Sequence, residues 1–390
     1  MSRPESDSES ERSFISNARR RFLKTAGVAG AALGTGAIGA NTAFGDSHDD
    51  DDDDEEGVVE DLEGQLPIDD QYLRIAVKAA GQAAQLHQNY FGSIEQSEEK
   101  DPQNLLTEVD TEAETLLRET IEDELGDDFE EEGHAIYGEE QGGGEGAYNY
   151  LWMLDPLDGT TNFIQEIPHF GVNIAVIKND GEEDETDTEY PGELYAGVTY
   201  YSLRDEVWVA VKDNGAYKFE SDGFDLVAED SEPEQLTVTE TDTFSDALHG
   251  VGFYSKDTAD DFGYMGLWRY LFADSIGTRL SGAAAPDIAF VADGQFDTCS
   301  VADLKEVDVA PGALIVREAG GTVTDFEGND DLDAILSGDL VATNSILHEN
   351  YLTLYDAAGK DWLTTPVDTL IGKVDGILDR SSTQRQEKTN

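Results

Sequence analysis

The sequence predicts an α+β fold, a layered α/β sandwich in which helix and sheet layers alternate. Three observations carry this reading. Two segments of helical period open the folded part, five short runs of strand period follow, and beyond residue 230 strand-like and helical runs alternate. Of the 390 residues 38% are hydrophobic, enough for one large domain or two smaller ones.

The first helix is predicted from Asp69 to Phe91, where Tyr72, Ile75, Ala76, Ala79, Ala80, Ala83 and Leu86 recur at helical spacing, and the second from Thr111 to Leu125. The period then shortens. Tyr150 to Leu154, Gly171 to Ile177, Leu194 to Tyr200, Glu206 to Val211 and Ala216 to Phe219 read as strands, with the Asp213-Asn214-Gly215 turn closing a hairpin between the last two. The acidic stretch from Gly181 to Gly192 reads as a solvated loop between strands. Strands near Leu236 to Thr239 and Leu248 to Phe253 are predicted next, with helices near Ala283 to Ala292, Val309 to Ala319 and Ile346 to Ala357. These elements place one folded domain at 66–360, with a subdomain boundary near 230–246 and a C-terminal tail at 361–390.

Ahead of the domain, Ala18 to Lys24 carries three consecutive arginines and is followed by an uncharged Gly/Ala-rich stretch to about Phe44. Residues 1–44 are similar to a twin-arginine signal segment, so export to the cell surface or beyond is expected. So many Gly and Ala make a poor spanning helix, and small residues from Gly39 to Ala43 offer cleavage points, so no stable membrane insertion is expected after processing. Gly34 to Gly39 matches the glycine pattern of dinucleotide sites, but no strand precedes it. From Asp46 to Glu56 the chain is nearly all acidic, with Asp49 to Asp54 unbroken, and residues 45–65 read as an extended linker, because like charges at that density repel.

The whole chain has 24 basic and 86 acidic side chains, and 24 − 86 gives a net charge of −62. Nucleic acid is excluded as a default partner, since its phosphates are repelled, and a protein adapted to concentrated salt is implied. The lone Cys299 allows no intrachain disulfide.

The most informative stretch runs from Trp152 to Phe163. An apolar strand ends in Asp155 and Asp158, three apart, followed by Gly159, Thr160 and Thr161. Two such carboxylates can bind a hard cation while the N–H groups of Gly159 and Thr160 point at a phosphate. A capped turn calls for the same residue types, so this segment alone leaves both readings open. The Asp-x-Asp spacing of aspartyl-phosphate chemistry is absent from it. His169 has no partner motif and reads as structural, and Gln141 to Gly146 is Gly-rich without the lysine of a phosphate-binding loop.

Three further pieces accompany that stretch: Leu106 to Asp110, Tyr137 to Glu140, and Val307 to Ala310 with Glu318 to Gly321 closing the same helix. Together, in colinear order over about three quarters of the chain, the four resemble the inositol monophosphatase family. The resemblance implies two or three Mg²⁺ ions as cofactors. Glu139, Asp155 and the carbonyl of Leu157 match the ligands of the first ion, and Asp155, Asp158 and Asp308 those of the second, with Asp155 bridging. It makes Asp110 and Thr160 the catalytic pair that orients and deprotonates the attacking water. Asp158, Gly159, Thr160, Gly282, Ala283 and Asp308 fall at substrate-binding positions. Asp110 also stands where a helix-capping Asp would, ahead of Thr111.

The chain departs from the family pattern at Val307, where a Trp is common, and at Gly282-Ala283-Ala284, where a Gly-Thr-Ala triplet is common. The resemblance therefore implies a phosphoric monoester hydrolase acting on a small-molecule phosphate ester. Inositol monophosphate is the first expectation, and fructose 1,6-bisphosphate or a 3'-phosphoadenosine compound the alternative. A non-catalytic surface protein that binds cations or phosphate is the reading from another class. A homodimer is left open.

Overall fold

The computed structural model describes residues 66–93, 98–101, 104–106, 108–179, 181, 188, 190–221, 231–253 and 262–389. The signal segment, the acidic linker and most of the acidic loop near 181–192 lie outside these residues. Helix α1 (Gln71–Tyr90) starts at Asp70, whose Oδ1 accepts the amide of Leu73 at 2.9 Å. A short hairpin, β1 (Glu98–Asp101) and β2 (Asn104–Leu106), leads into α2 (Glu108–Leu125), followed by the single turn α3 (Asp128–Glu131).

A first sheet is then built from β3 (His134–Gly138), β4 (Gly142–Gly143), β5 (Tyr150–Asp158), β6 (Gly171–Lys178), β7 (Glu193–Tyr201), β8 (Glu206–Val211), β9 (Ala216–Glu220) and β10 (Glu234–Gln235). Its order is β10-β9-β8-β7-β6-β5-β3-β4, and the pairing is antiparallel except between β3 and β5. The single turn α4 (Thr160–Ile164) follows β5 directly. A second sheet, ordered β12-β11-β13-β15-β14, is formed by β11 (Leu248–Phe253), β12 (Gly277–Arg279), β13 (Thr298–Ala302), β14 (Thr322–Thr324) and β15 (Leu340–Thr343). Here β11 runs parallel to both of its neighbours. The remaining helices are α5 (Phe262–Ala273), α6 (Ala284–Ala292), α7 (Glu306–Glu318), α8 (Leu332–Ile335), α9 (His348–Ala357) and α10 (Val367–Thr389).

Three apolar clusters glue five layers together. Trp152 and Leu154 of β5 face α1 and α2, while Leu151 and Met153 of the same strand face α6 and α7. That alternation is the two-residue period of a strand buried on both faces, which explains why β5 reads as an unbroken apolar run. Cys299 and Val301 of β13 back onto the α6 and α7 side, and Val341 of β15 meets α5, α9 and α10 on the far side. Helix and sheet layers thus alternate, as the α+β reading expected. Each large apolar side chain buried in these layers contributes about 1.5–3 kcal/mol.

Two expectations are corrected. Leu236 to Thr239 is not a strand: this segment passes between the two sheets, with Leu236 N–H bonded to Ala216 and Val238 N–H to Ala319. Its alternating Leu and Val side chains fill the gap instead of pairing in a ladder. The segment read as a C-terminal tail is a helix over most of its length, because Leu370 and Val374, one turn apart, are buried against the third cluster. In the second sheet β11 matches the strand expected from Leu248 to Phe253, whereas helix α5 and the shorter strands β12 to β15 carry no clear period in the sequence. Among the described residues no helix is long and apolar enough to cross a membrane.

Candidate metal centre

Parallel pairing of β3 with β5 brings the C-terminal ends of both strands to one place. Gly138 lies opposite Leu154, and the next amide, that of Glu139, donates to the Leu154 carbonyl at 3.0 Å. Glu139 and Asp155 therefore leave adjacent strand ends side by side. Asp308 arrives from the first turn of α7, its Oδ2 accepting the Lys305 amide at 3.0 Å. One carboxylate oxygen from each of Glu139, Asp155 and Asp308 lies within 4.8 Å of the others. An all-oxygen, all-anionic donor set of this kind suits a hard divalent cation such as Mg²⁺ and offers nothing to a soft one.

Asp155 is fully buried, with Oδ1 accepting the Leu157 amide and Oδ2 accepting Asn173 Nδ2, both at 3.0 Å. The β5–β6 register breaks between Asp155 and Asp158, so both carboxylates turn toward the same end of the sheet. Asp158 stands beside the group of three, its Oδ2 accepting the amide of Ala285 at the start of α6 at 2.7 Å. Gly159 turns the chain with φ 91°, and a Cβ there would come within 3.0–3.1 Å of Ala283 Cβ, the His169 carbonyl and Phe170 Cβ. Both the backbone angle and the space demand glycine.

That turn delivers Thr160, whose Oγ1 lies 2.8 Å from Asp110 Oδ1 and 3.1 Å from the Leu157 carbonyl. Asp110 is buried and sits inside the first turn of α2, which begins at Glu108, so it is not the capping residue ahead of Thr111. Its Oδ1 accepts the Thr160 hydroxyl. Gly282 and Ala283 are brought to the same end by Asn162, whose Nδ2 donates to the carbonyls of His169 at 2.7 Å and Ser281 at 2.9 Å. The catalytic, substrate-binding and metal positions read from the sequence thus converge, with Asp158 set against α6.

Three neighbours escaped sequence reasoning. Asn162 and Asn173 are buried polar residues within apolar surroundings, and Lys305 donates from Nζ to Glu139 Oε1 at 2.7 Å. An Asn inside the apolar run of β6 was the one available signal, since a polar side chain in a strand buried on both faces needs a partner. His169 has the structural role expected of it: Nδ1 lies 2.7 Å from the Tyr201 hydroxyl, which donates to the Pro168 carbonyl.

The carboxyls repel one another. Burial, then Glu139, Asp308 and Asp158, push the Asp155 carboxyl well above the usual range. Burial raises Asp158 to about 7, against the lowering pull of the Ala285 and Ala284 amides. Asp308 is likewise raised, by burial and then by Glu139 and Asp158. With folded values above unfolded ones, these groups hold protons in the native state that the unfolded chain has lost. Stability is therefore expected to fall as pH rises from about 4 toward and past 7 in EDTA. A bound cation selects the ionised form, so Mg²⁺ should raise the thermal midpoint more at pH 8 than at pH 5.5. Melting curves with EDTA and with Mg²⁺ at the two pH values check this, and an equal shift at both would contradict it.

Comparison with known proteins places the same residues in context. The inositol monophosphatase family model matches residues 69–360. Nus factor SuhB of Pseudomonas aeruginosa is 37% identical over 292 residues, covering 72% of this chain and 94% of the relative. Inositol-1-monophosphatase of Rhizobium meliloti is 31% identical over 264 residues, covering 66% of this chain and 86% of its own length. Among solved structures, native extragenic suppressor protein suhB from Bartonella henselae superposes with a TM-score of 0.61 at 27% identity, covering 73% of this chain and 98% of that one. Inositol monophosphatase from Anabaena gives 0.58 at 28% identity, covering 74% and 96%.

Proposed function

The chain belongs to the inositol monophosphatase family, and from that premise we propose that it is a Mg²⁺-dependent phosphomonoesterase whose preferred substrate is an inositol monophosphate. The observation that carries the reading is the meeting of Glu139, Asp155 and Asp308 with the bonded pair Asp110 and Thr160. A protein that only bound cations or phosphate would need the first group and not the second. The family's Mg²⁺ supplies Lewis-acid polarisation of the phosphoryl oxygens and makes an attacking water acidic.

The residues of this chain do the rest. Glu139, Asp155, Asp158 and Asp308 would hold the cations together with the Leu157 carbonyl. Thr160 accepts the proton of the attacking water at Oγ1 as its own proton passes to Asp110 Oδ1, so no side-chain nucleophile is required. The N–H groups of Gly159 and Thr160, at the start of α4, meet the ester phosphate. Ala283 brings a buried methyl where a hydroxyl would add a donor, so the sugar is held by fewer polar contacts.

Inorganic phosphate release from inositol 1-phosphate, fructose 1,6-bisphosphate, 3'-phosphoadenosine 5'-phosphate and an aryl phosphate, in Mg²⁺ and molar KCl, tests the reading. Inositol 1-phosphate is expected to be fastest and EDTA to stop release. Release from none of the four by a protein that binds Mg²⁺ would leave the binding role alone.

A further inference from the structure

Helix α2 carries a second buried carboxylate one turn beyond Asp110. Glu114 is 0% exposed, and both its oxygens accept from the segment that follows Glu139. Oε2 accepts the amide of Glu140 at 2.6 Å and that of Gln141 at 3.3 Å, while Oε1 accepts the Gln141 amide at 3.1 Å and Arg118 Nε at 2.9 Å. Arg118 reaches on with Nη2 to the Gly142 carbonyl, and Gln141 Nε2 donates to Thr115 Oγ1 at 3.1 Å. Residues 140–142 are therefore tied to α2 directly behind Glu139. Ahead of Glu139, the β3–β5 ladder does the same.

Gly138 completes the bracket. A Cβ at that position would lie 2.1 Å from Glu114 Oε1 and 2.8 Å from Arg118 Nη2, so the carboxylate occupies the space of the missing side chain. Burying a charge is costly unless it is paired and hydrogen-bonded, and an apolar side chain of similar volume would fill the gap at no such cost. What an apolar residue would not do is hold two successive backbone amides in a Gly-rich segment. Glu114 thus holds the backbone from which Glu139 projects, in the place where metal ligands commonly have an outer partner.

We propose that Glu114, braced by Arg118, is the positioning residue for Glu139 and thereby sets the affinity of the cation that Glu139 binds. The inference rests on the reading of Glu139 as a cation ligand. It also makes α2 the element that serves both sides of the centre, Asp110 facing the water and Glu114 facing the ligand loop.

Mn²⁺ binding by the full chain, followed calorimetrically without substrate, tests it. Glu139→Gln defines which binding step belongs to Glu139. Glu114→Gln is expected to weaken that step roughly 10- to 100-fold, the usual effect of losing an outer partner of a ligand. Leu117→Ala, a buried core change on the same helix, should lower the thermal midpoint and leave the step at wild-type affinity. Gly138→Ala should reproduce the Glu114→Gln loss by displacing the carboxylate, and it decides the matter if Glu114→Gln does not fold. Wild-type affinity in the folded Glu114 or Gly138 variant, or an equal loss in Leu117→Ala, would overturn the positioning role. If Glu139→Gln itself leaves binding unchanged, the reading of Glu139 falls instead.

Discussion

Asp155→Asn is expected to cut phosphate release on the order of 10³-fold or more, a larger loss than removing an outer partner of a ligand brings. The same change should leave the cation-free protein at least as stable as wild type. Asp155 is the fully buried member of a cluster of like charges, and its carboxyl is raised by that surrounding. An Asn at this position keeps one oxygen for the Leu157 amide. Its new NH₂ group would face Asn173 Nδ2, but the Asn173 amide can turn over to present Oδ1, which has no partner of its own. The variant can thus keep both side-chain hydrogen bonds, while the carboxylate that two cations would share is lost. Steady-state rates and melting curves in EDTA check both halves: a large loss of stability would mean that Asp155 is a structural residue, and a near-normal rate would mean it is not a ligand.

Asp110→Asn is expected to lower kcat by roughly 10²- to 10⁴-fold, the usual worth of general-base help, with KM and cation affinity within about threefold of wild type. Geometry favours a clean test. Asn Oδ1 can still accept from Thr160 Oγ1, so the hydrogen bond survives and only the proton acceptor is lost. The charge also interacts favourably with the start of α2, and its removal there costs about 0.3–1 kcal/mol, a small shift in the thermal midpoint. Full activity in this variant, with that small shift, would leave Asp110 a helix-start residue and nothing more.

Helix α1 was legible from its helical period, and the strands β5 to β9 from short apolar or alternating runs with sharp boundaries, such as the Asp213-Asn214-Gly215 turn. The core of the centre was legible because Asp155, Asp158, Gly159 and Thr160 are neighbours in the chain. What could not be read are contacts made by distant segments folding onto one another. Lys305 reaches Glu139 across 166 residues, Glu114 meets Glu140 across 26, and Asn173 faces Asp155 across a strand pair whose register no spacing discloses. Apart from Leu248–Phe253, the second sheet was hidden for another reason: strands of three to five residues, such as Thr298–Ala302, are too short to show a period. Helix α10 did carry a signal in Leu370 and Val374, one turn apart, but its polar C-terminal half outweighed it.

The central proposal is that Asp155 would be shared by two cations, one also held by Glu139 and the other by Asp158 and Asp308. Anomalous diffraction from crystals of the full chain grown in Mn²⁺ measures this directly. The account predicts at least two Mn²⁺ peaks within bonding distance of an Asp155 oxygen, with Glu139 on one and Asp308 on the other. Peaks that Asp155 does not touch, or no peak among Glu139, Asp155 and Asp308 in millimolar Mn²⁺, would contradict it.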